Sequence, residues 1–398
     1  MKHALTASIA ASLFVLPLFE ALKNLFLFLT LVFFIWHQAS GAFFRGNNLD
    51  KETILYLVSL LIIFLSITPL FTLPKDSIPL ALKSAMSWGK YGIFAAIVFW
   101  STLDRIQVTL YIFSILAGGL VAVIWELFVW NNGSTYYPEL NSVGHVNQSA
   151  IYVALLVITG SSALFCRSFP IGVRLIGGVT VVASLVILVP MYSVITTVAL
   201  AIVMLLMLFV WAGWKGLAAL FLASALLYQL PIPGLQKQLQ TLETQITSRA
   251  SSADPDSKRG ELLNVAFITA MENRFVGAGH KSFPVAATEE VVKGYLESQG
   301  LKYNRSEYHY DVHGHSYWAT SLVEKGALGI LGGLLLFLSW SLVCWPMPRN
   351  FGGVLGLGVL GITALISVGN TVLHNEHGGL ALALMSLVFA IRNQRMSI

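Results

Sequence analysis

Apolar stretches of helix length follow one another along this chain and are interrupted once, by a long polar segment from Pro231 to Trp318. A backbone inside lipid finds no water to bond with, so repeated apolar runs of this length predict helices that satisfy their own amides. The runs lie near 5–19, 23–37, 53–72, 81–100, 107–130, 148–166, 172–189, 192–211, 214–230, 319–345, 352–370 and 378–391. Only 11% of the 398 residues are charged and 56% are hydrophobic. Soluble domains carry about 25% charged residues, so a soluble globular fold is excluded. The expectation is an all-α polytopic membrane protein of about twelve transmembrane helices, embedded in a lipid bilayer. It divides into an N-terminal bundle over 1–230, a large, partly helical loop over 231–318, and C-terminal helices over 319–398.

The first run could pass for a secretory signal, because Lys2 precedes it. It has no small-residue cleavage site before Glu20, and a second run starts almost at once. An uncleaved anchor fits that pattern better. Each of the first two runs is short for a span, which leaves a single kinked segment as an alternative.

Charge sets the expected orientation. With the N-terminus inside, the inner segments hold Lys2, Arg45, Lys51, Arg105, Arg167, Arg174, Lys215, Arg349, Arg392 and Arg395, while the short outer loops hold only Lys23 and Lys75. Cytoplasmic loops are enriched in Lys and Arg, so the segment 231–318 is expected outside, in the periplasm if the membrane is a bacterial inner membrane. This asymmetry accounts for the net charge of +5 without nucleic acid as a partner. Cys166 and Cys344 both fall at helix ends on the inner side, and neither a disulfide nor a zinc site is expected of them.

The loop holds nine of the 24 basic residues, ten of the 19 acidic ones and four of the nine histidines. Leu235, Leu239, Leu242 and Ile246 recur at helical spacing, which predicts an amphipathic helix lying on the bilayer or packed on the rest of the loop. SSADPDSK reads as a turn, and RGELLNVAFITAMENRF as a second helical stretch opened by Arg259. It ends at VGAG, where Gly277 and Gly279 can supply a helix stop and a tight backbone turn.

The polar segment gives way to apolar helix at HGHSYWATSLVEKGALGILGG. Taken alone, His315 could be an interfacial polar residue beside two aromatic anchors, Tyr317 and Trp318. A helix already formed at His315 would align Ala319, Leu322, Gly326 and Gly329 on one stripe, with the glycines admitting a neighbouring helix. His315 and Ser316, then nine residues, Gly326, two residues and Gly329, resemble the signature of the O-antigen ligase and O-antigen polymerase superfamily of membrane glycosyltransferases. RGELLNVAFITAMENRFVGAG is similar to the segment in which that superfamily carries an arginine ahead of an apolar helix and a Gly-x-Gly turn.

The resemblance covers roughly residues 140–345 and implies a C-type glycosyltransferase-like fold. It further implies an O-antigen ligase activity: en bloc transfer of polysaccharide from an undecaprenyl pyrophosphate donor to a lipid A–core acceptor, with inversion, on the periplasmic face. His315 would be the general base, since an ordinary imidazole titrates near working pH. Arg259 would stabilise the pyrophosphate, for which its planar, permanently charged fork is suited. Lys258, Ser316, Lys281 and His313 are further substrate-binding candidates, with Arg274 and His280 beside them. The superfamily commonly has a second arginine before the long loop. The comparable stretch here, VPMYSVITTVAL, offers Tyr192 and Ser193 instead, so His145, Lys83, Lys90 or Lys281 could supply the missing cation. Asn147 and Gln148 fall where the superfamily tends to be polar.

No cofactor and no metal are expected. His374, Glu376 and His377 in NTVLHNEHGG make only a loose ligand pattern and are expected to cap the outer face. Glu324 and Lys325 lie inside an apolar run, where charge needs a protein partner or a water-filled cavity. An O-antigen polymerase or a protein O-oligosaccharyltransferase would use the same donor. A non-enzymatic polysaccharide or lipid transporter is the alternative of a different class, against which stands the lack of matched broken-helix halves.

Overall fold

The computed structural model describes residues 2–40, 49–67, 78–133, 137–229, 254–279, 282–308, 310, 314–345, 350–373 and 375–396, with the side chains of 67–88, 217–229 and 254–259 outside that description. Among the described residues the chain is all-helical, with no strand. The N-terminal part contains α1 (Lys2–Val15), α2 (Glu20–Ala39), α3 (Lys51–Ile67), α4 (Ile78–Ser101), α5 (Arg105–Asn131), α6 (Val146–Phe165), α7 (Ile171–Leu188) and α8 (Val194–Gln229). The loop contributes α9 (Asp254–Glu272), α10 (Phe283–Ala286) and α11 (Glu289–Ser298). The chain closes with α12 (Tyr317–Cys344), α13 (Phe351–Ser367) and α14 (Asn375–Asn393).

Among the described residues six helices are long and apolar enough to cross a membrane: α2, α5, α6, α7, α8 over Val194–Gly216, and α12. The 14 residues of α1 and 17 of α13 make shorter apolar helices. The chain is thus a multi-pass membrane protein. The two N-terminal runs are separate helices rather than one kinked segment. Pro190 falls in the break between α7 and α8, as a residue that cannot continue a helix should. The runs at 192–211 and 214–230 are two helices that meet at a kink at Gly213, whose φ of 65° and ψ of −161° are not helical, and α8 denotes the two together. The expected helix around Leu235–Ile246 lies outside the described residues.

Burial divides the bundle into layers. α14 is buried from Glu376 to Ile391, and α6 from Ser149 to Ala163. A helix apolar on all sides belongs in the middle of a bundle. α5, α7, α8 and α12 each turn large apolar side chains outward, among them Ile124, Val182, Ile202 and Leu338. At the end that we term lower, Lys2 meets Asp104 at 3.4 Å and Arg392 meets Asp50 and Glu52 at 3.3 and 3.0 Å. At the upper end, the turn after α5 meets the turn after α1, the start of α14 meets the start of α6, and the end of α13 meets the start of α12. Asn141 donates to Leu18 O, Asn375 to Gln148, and Ser316 to Ser367 O.

The loop builds a small core of its own on α12. Leu262, Val265 and Ala266 of α9 pack with Phe283, Val292, Leu296 and Tyr308, and this group closes over Ala319 and Val323. Thr288 caps α11 by accepting from Val291 N at 3.4 Å. Burial, with the Tyr303 hydroxyl 3.4 Å away, pushes the Tyr310 phenol above its ordinary range. The loop begins its helix earlier than the sequence suggests, because Asp254–Lys258, read as a turn, form the first turn of α9. Pro255 is tolerated so close to a helix start, and Asp254 and Asp256 favour the positive end of the dipole.

Candidate functional site

α12 begins at Tyr317, two residues after His315, so the expected stripe from His315 does not form. Ser316 is the cap instead. Its hydroxyl accepts from Trp318 N at 3.2 Å and donates to Ser367 O at 3.2 Å. Trp318 Nε1 donates to Ser367 Oγ, also at 3.2 Å, so the start of α12 is fastened twice to the end of α13. His315 is exposed and its φ of +45° lies in the left-handed region. A non-glycine residue persists there only when its surroundings over-determine it.

The glycine pair also acts differently from the expectation. Gly326 has a φ of 64° and a ψ of −158°, which breaks α12 and takes Gly329 out of phase with Ala319. A Cβ on Gly326 would stand 2.1 Å from Phe275 O, so a loop segment rather than a helix occupies the space. Gly329 houses the stem of Lys325, and the close helix approach falls one turn later, where Gly332 faces Ile63 of α3.

The break and the loop satisfy each other. Ala278 N donates to Val323 O and Gly279 N to Glu324 O, both at 2.8 Å, while Ala327 N donates to Phe275 O at 2.8 Å. These are backbone groups that an unbroken helix would have paired internally. Gly277, at φ +96°, lies so close to α12 that a Cβ there would meet three backbone atoms, Glu324 O, Lys325 C and Gly326 N, each at 2.7 Å. Gly277 and Gly279 therefore do serve the turn read from VGAG. Glu324 and Lys325 are both buried beside the break, and Lys325 Nζ sits 5.5 Å from the Tyr317 ring centroid.

Arg259 and Lys258 lie in the second turn and the end of the first turn of α9, and their side chains fall outside the described residues. Lys281, His313, His280 and His374 lie outside them altogether, as does the side chain of Lys83. What the structure does bring together is Leu262, one turn after Arg259, with Ala319, one turn after His315, in a single apolar cluster. His145 is exposed and caps α6, its Nδ1 accepting from Asn147 N at 3.3 Å. Tyr192, exposed and at φ +51°, packs edge-on against Tyr137 with ring centroids 6.0 Å apart. Ser193 is buried against Thr196, and Arg274 is exposed at φ +51°.

Two sequence readings need correction at the upper end. Lys23, read as an outer-loop charge, is fully buried in the first turn of α2. Its ammonium is held between the carboxylates of Glu20 and Glu376 and donates to Ser142 Oγ at 3.0 Å. Glu376 and His377, read as a surface cap, are buried in the first turn of α14. Glu376 also accepts from the Tyr91 hydroxyl at 2.7 Å, and His377 Nε2 lies 3.2 Å from Thr371 O. Lys90 donates to Asn24 at 2.9 Å and lies 4.0 Å from Glu20, which connects the buried group to the surface. The signal was available: a lysine and a glutamate in the first turns of apolar helices are the charges that demand a partner.

Among the described residues no three His, Cys, Asp or Glu side chains gather as a metal site. A cavity of about 300 Å³ lies between α6, α8 and α13, lined by Phe165, Met204, Met207, Trp211 and Phe351. It is almost wholly apolar and belongs to the lower half, where α6 ends and α13 begins, so it has no part in chemistry at His315. No family model matches the chain, and no curated protein matches it.

Proposed function

We propose that this chain is a membrane glycosyltransferase of the O-antigen ligase type, with about twelve spans, a C-type glycosyltransferase-like bundle and the loop 231–318 facing the periplasm. The observation that carries the reading is the docking of one resembling segment on the other. The Phe275–Gly279 segment that ends the Arg259 helix fills the break at Gly326, and Leu262 packs on Ala319 below His315. The two motifs that identify the resemblance are 56 residues apart in sequence and adjacent in space.

In this mechanism undecaprenyl pyrophosphate is the leaving group and supplies the driving force. Arg259 stabilises the charge developing on it, the electrostatic role that usually contributes most. His315, exposed at the head of α12, takes the proton of an acceptor hydroxyl on lipid A–core as that oxygen attacks the anomeric carbon. Direct displacement inverts that carbon and needs no metal, so transfer is expected to survive EDTA.

The test is transfer by membrane-inserted variants at matched expression. His315→Ala should still bind lipid-linked donor but lose about 10²–10⁴-fold in transfer. Arg259→Ala should lose donor affinity and rate together, with Arg259→Lys recovering part, since an ammonium keeps charge without the fork. Turnover near the wild-type value in His315→Ala would make the histidine an interfacial anchor and end the proposal.

A further inference from the structure

The buried charges at the upper end form a chain of contacts that leads to His315. Lys23 of α2 grips Glu376 in the first turn of α14. The next residue, His377, lies with Nε2 3.2 Å from Thr371 O, in the turn between α13 and α14. A carbonyl can only accept, so Nε2 carries the proton of this bond. That turn is tightly drawn: Leu373 and Asn375 have φ of +57° and +51°, and Asn370 N donates back to Ile366 O at 2.8 Å. It starts at Ser367, whose carbonyl receives Ser316 and whose hydroxyl receives Trp318. Ser316 is the neighbour of His315 and caps its helix.

The glycines of NEHGG fit this chain. A Cβ on Gly378 would stand 2.5 Å from the Leu373 carbonyl carbon, and one on Gly379 would stand 2.5 Å from the Tyr91 ring. Only without side chains there can the turn fold back on α14 and Tyr91 reach Glu376 with its hydroxyl. Buried ion pairs seldom add net stability over apolar replacements, and their best-attested use is to fix one arrangement among several.

We infer that Lys23 and Glu376 are positioning residues for His315: the pair fixes the first turn of α14, that turn holds Thr371 and the α13–α14 connection, and the connection sets the seat of Ser316. The inference rests on the reading of His315 as general base. A misplacement of a reacting group by an ångström can cost about 100-fold in rate without touching the chemistry.

The test uses the full chain in membranes, with undecaprenyl pyrophosphate-linked glycan as donor and lipid A–core as acceptor. Lys23→Met alone leaves Glu376 buried without its cation, and Glu376→Gln alone leaves Lys23 with only the exposed Glu20; either can fail to fold, so the informative variant carries both. The double variant removes the pair as a unit and should accumulate and melt like the wild type. Its kcat should fall about 10- to 100-fold with the KM for donor unchanged. Added to His315→Ala, it should cost nothing further, because a positioning effect disappears once the positioned group is gone. A well-folded double variant with wild-type kcat overturns the inference and leaves the function standing. An undiminished loss when His315 is already absent overturns it too. Wild-type turnover by His315→Ala alone removes both readings together.

Discussion

Two membrane helices of this protein are bent by the same backbone conformation for different reasons. Gly213 in α8 has φ 65° and ψ −161°, and Gly326 in α12 has φ 64° and ψ −158°. Both angles lie in a region that is essentially glycine's alone. At Gly213 no described atom lies within 4 Å of the position a Cβ would take, whereas at Gly326 Phe275 O would lie 2.1 Å from it. In α8 glycine only permits a bend. In α12 it also makes room for another piece of chain, which then takes over the hydrogen bonds the bend releases. Identical dihedral angles thus mark a hinge in one helix and a docking notch in the other.

Alanine at each position separates the two roles. Gly326→Ala should have the largest effect. Backbone strain costs roughly 1–3 kcal/mol, and expulsion of the docked loop segment forfeits three backbone bonds at about 0.5–1.5 kcal/mol each. A total of about 2.5–7.5 kcal/mol should lower the melting point, expose Asp254–Gly279 to protease and abolish transfer. Should the loop stay protected in a stable Gly326→Ala protein, the notch would be no more than a second hinge.

Gly277→Ala attacks the same contact from the loop side and should come next. Its Cβ would press on the backbone of Lys325 and Gly326 at 2.7 Å, yet the loop is freer than a helix to move away. About 2–4 kcal/mol is expected from strain and partial loss of the bonds. The bundle should remain intact while proteolysis of the loop rises, and a melt that loses bundle and loop together would show that the two fold as one unit.

Gly213→Ala should be the mildest, at roughly 1–3 kcal/mol of strain with no clash to add. Transfer by the inserted protein should match the wild type. A loss of transfer comparable to that of Gly326→Ala would mean that the bend in α8 has a function that the described atoms around it do not reveal.

The contrast also explains how much could be read beforehand. Helix positions followed from apolar runs, and the stop at VGAG followed from glycine spacing, because both are local properties. The mutual fit of VGAG and Gly326 was not legible, since nothing in either segment names its partner. Reading Gly326 and Gly329 as one helical stripe assumed an unbroken helix, and the break removed the assumption. Lys23 went unrecognised for a related reason. Counting charges by loop places it at a surface, whereas its burial depends on Glu376, 353 residues away. His315 and Ser316 could be singled out by pattern, but the fastening of Ser316 to Ser367 is a tertiary fact. The side chain of Arg259, like Lys281 and His313, lies outside the described residues, so its place in the proposed site rests on where α9 is anchored.

The separation of Lys23 from Glu376 has a consequence for biosynthesis. A ribosome delivers the lysine first and reaches the glutamate 353 residues later, after roughly 20–70 s at ordinary elongation rates of about 5–20 residues per second. Throughout that interval an ammonium destined for the interior has no distant counter-ion. Glu20, one helical turn away and already made, is the acid that can accompany it, and in the finished protein it still does. The last helix therefore completes the burial of the first hairpin's charge. A chain truncated before α14 would carry an uncovered lysine into the assembled bundle, a defect that a membrane quality-control protease could read as an unfinished protein.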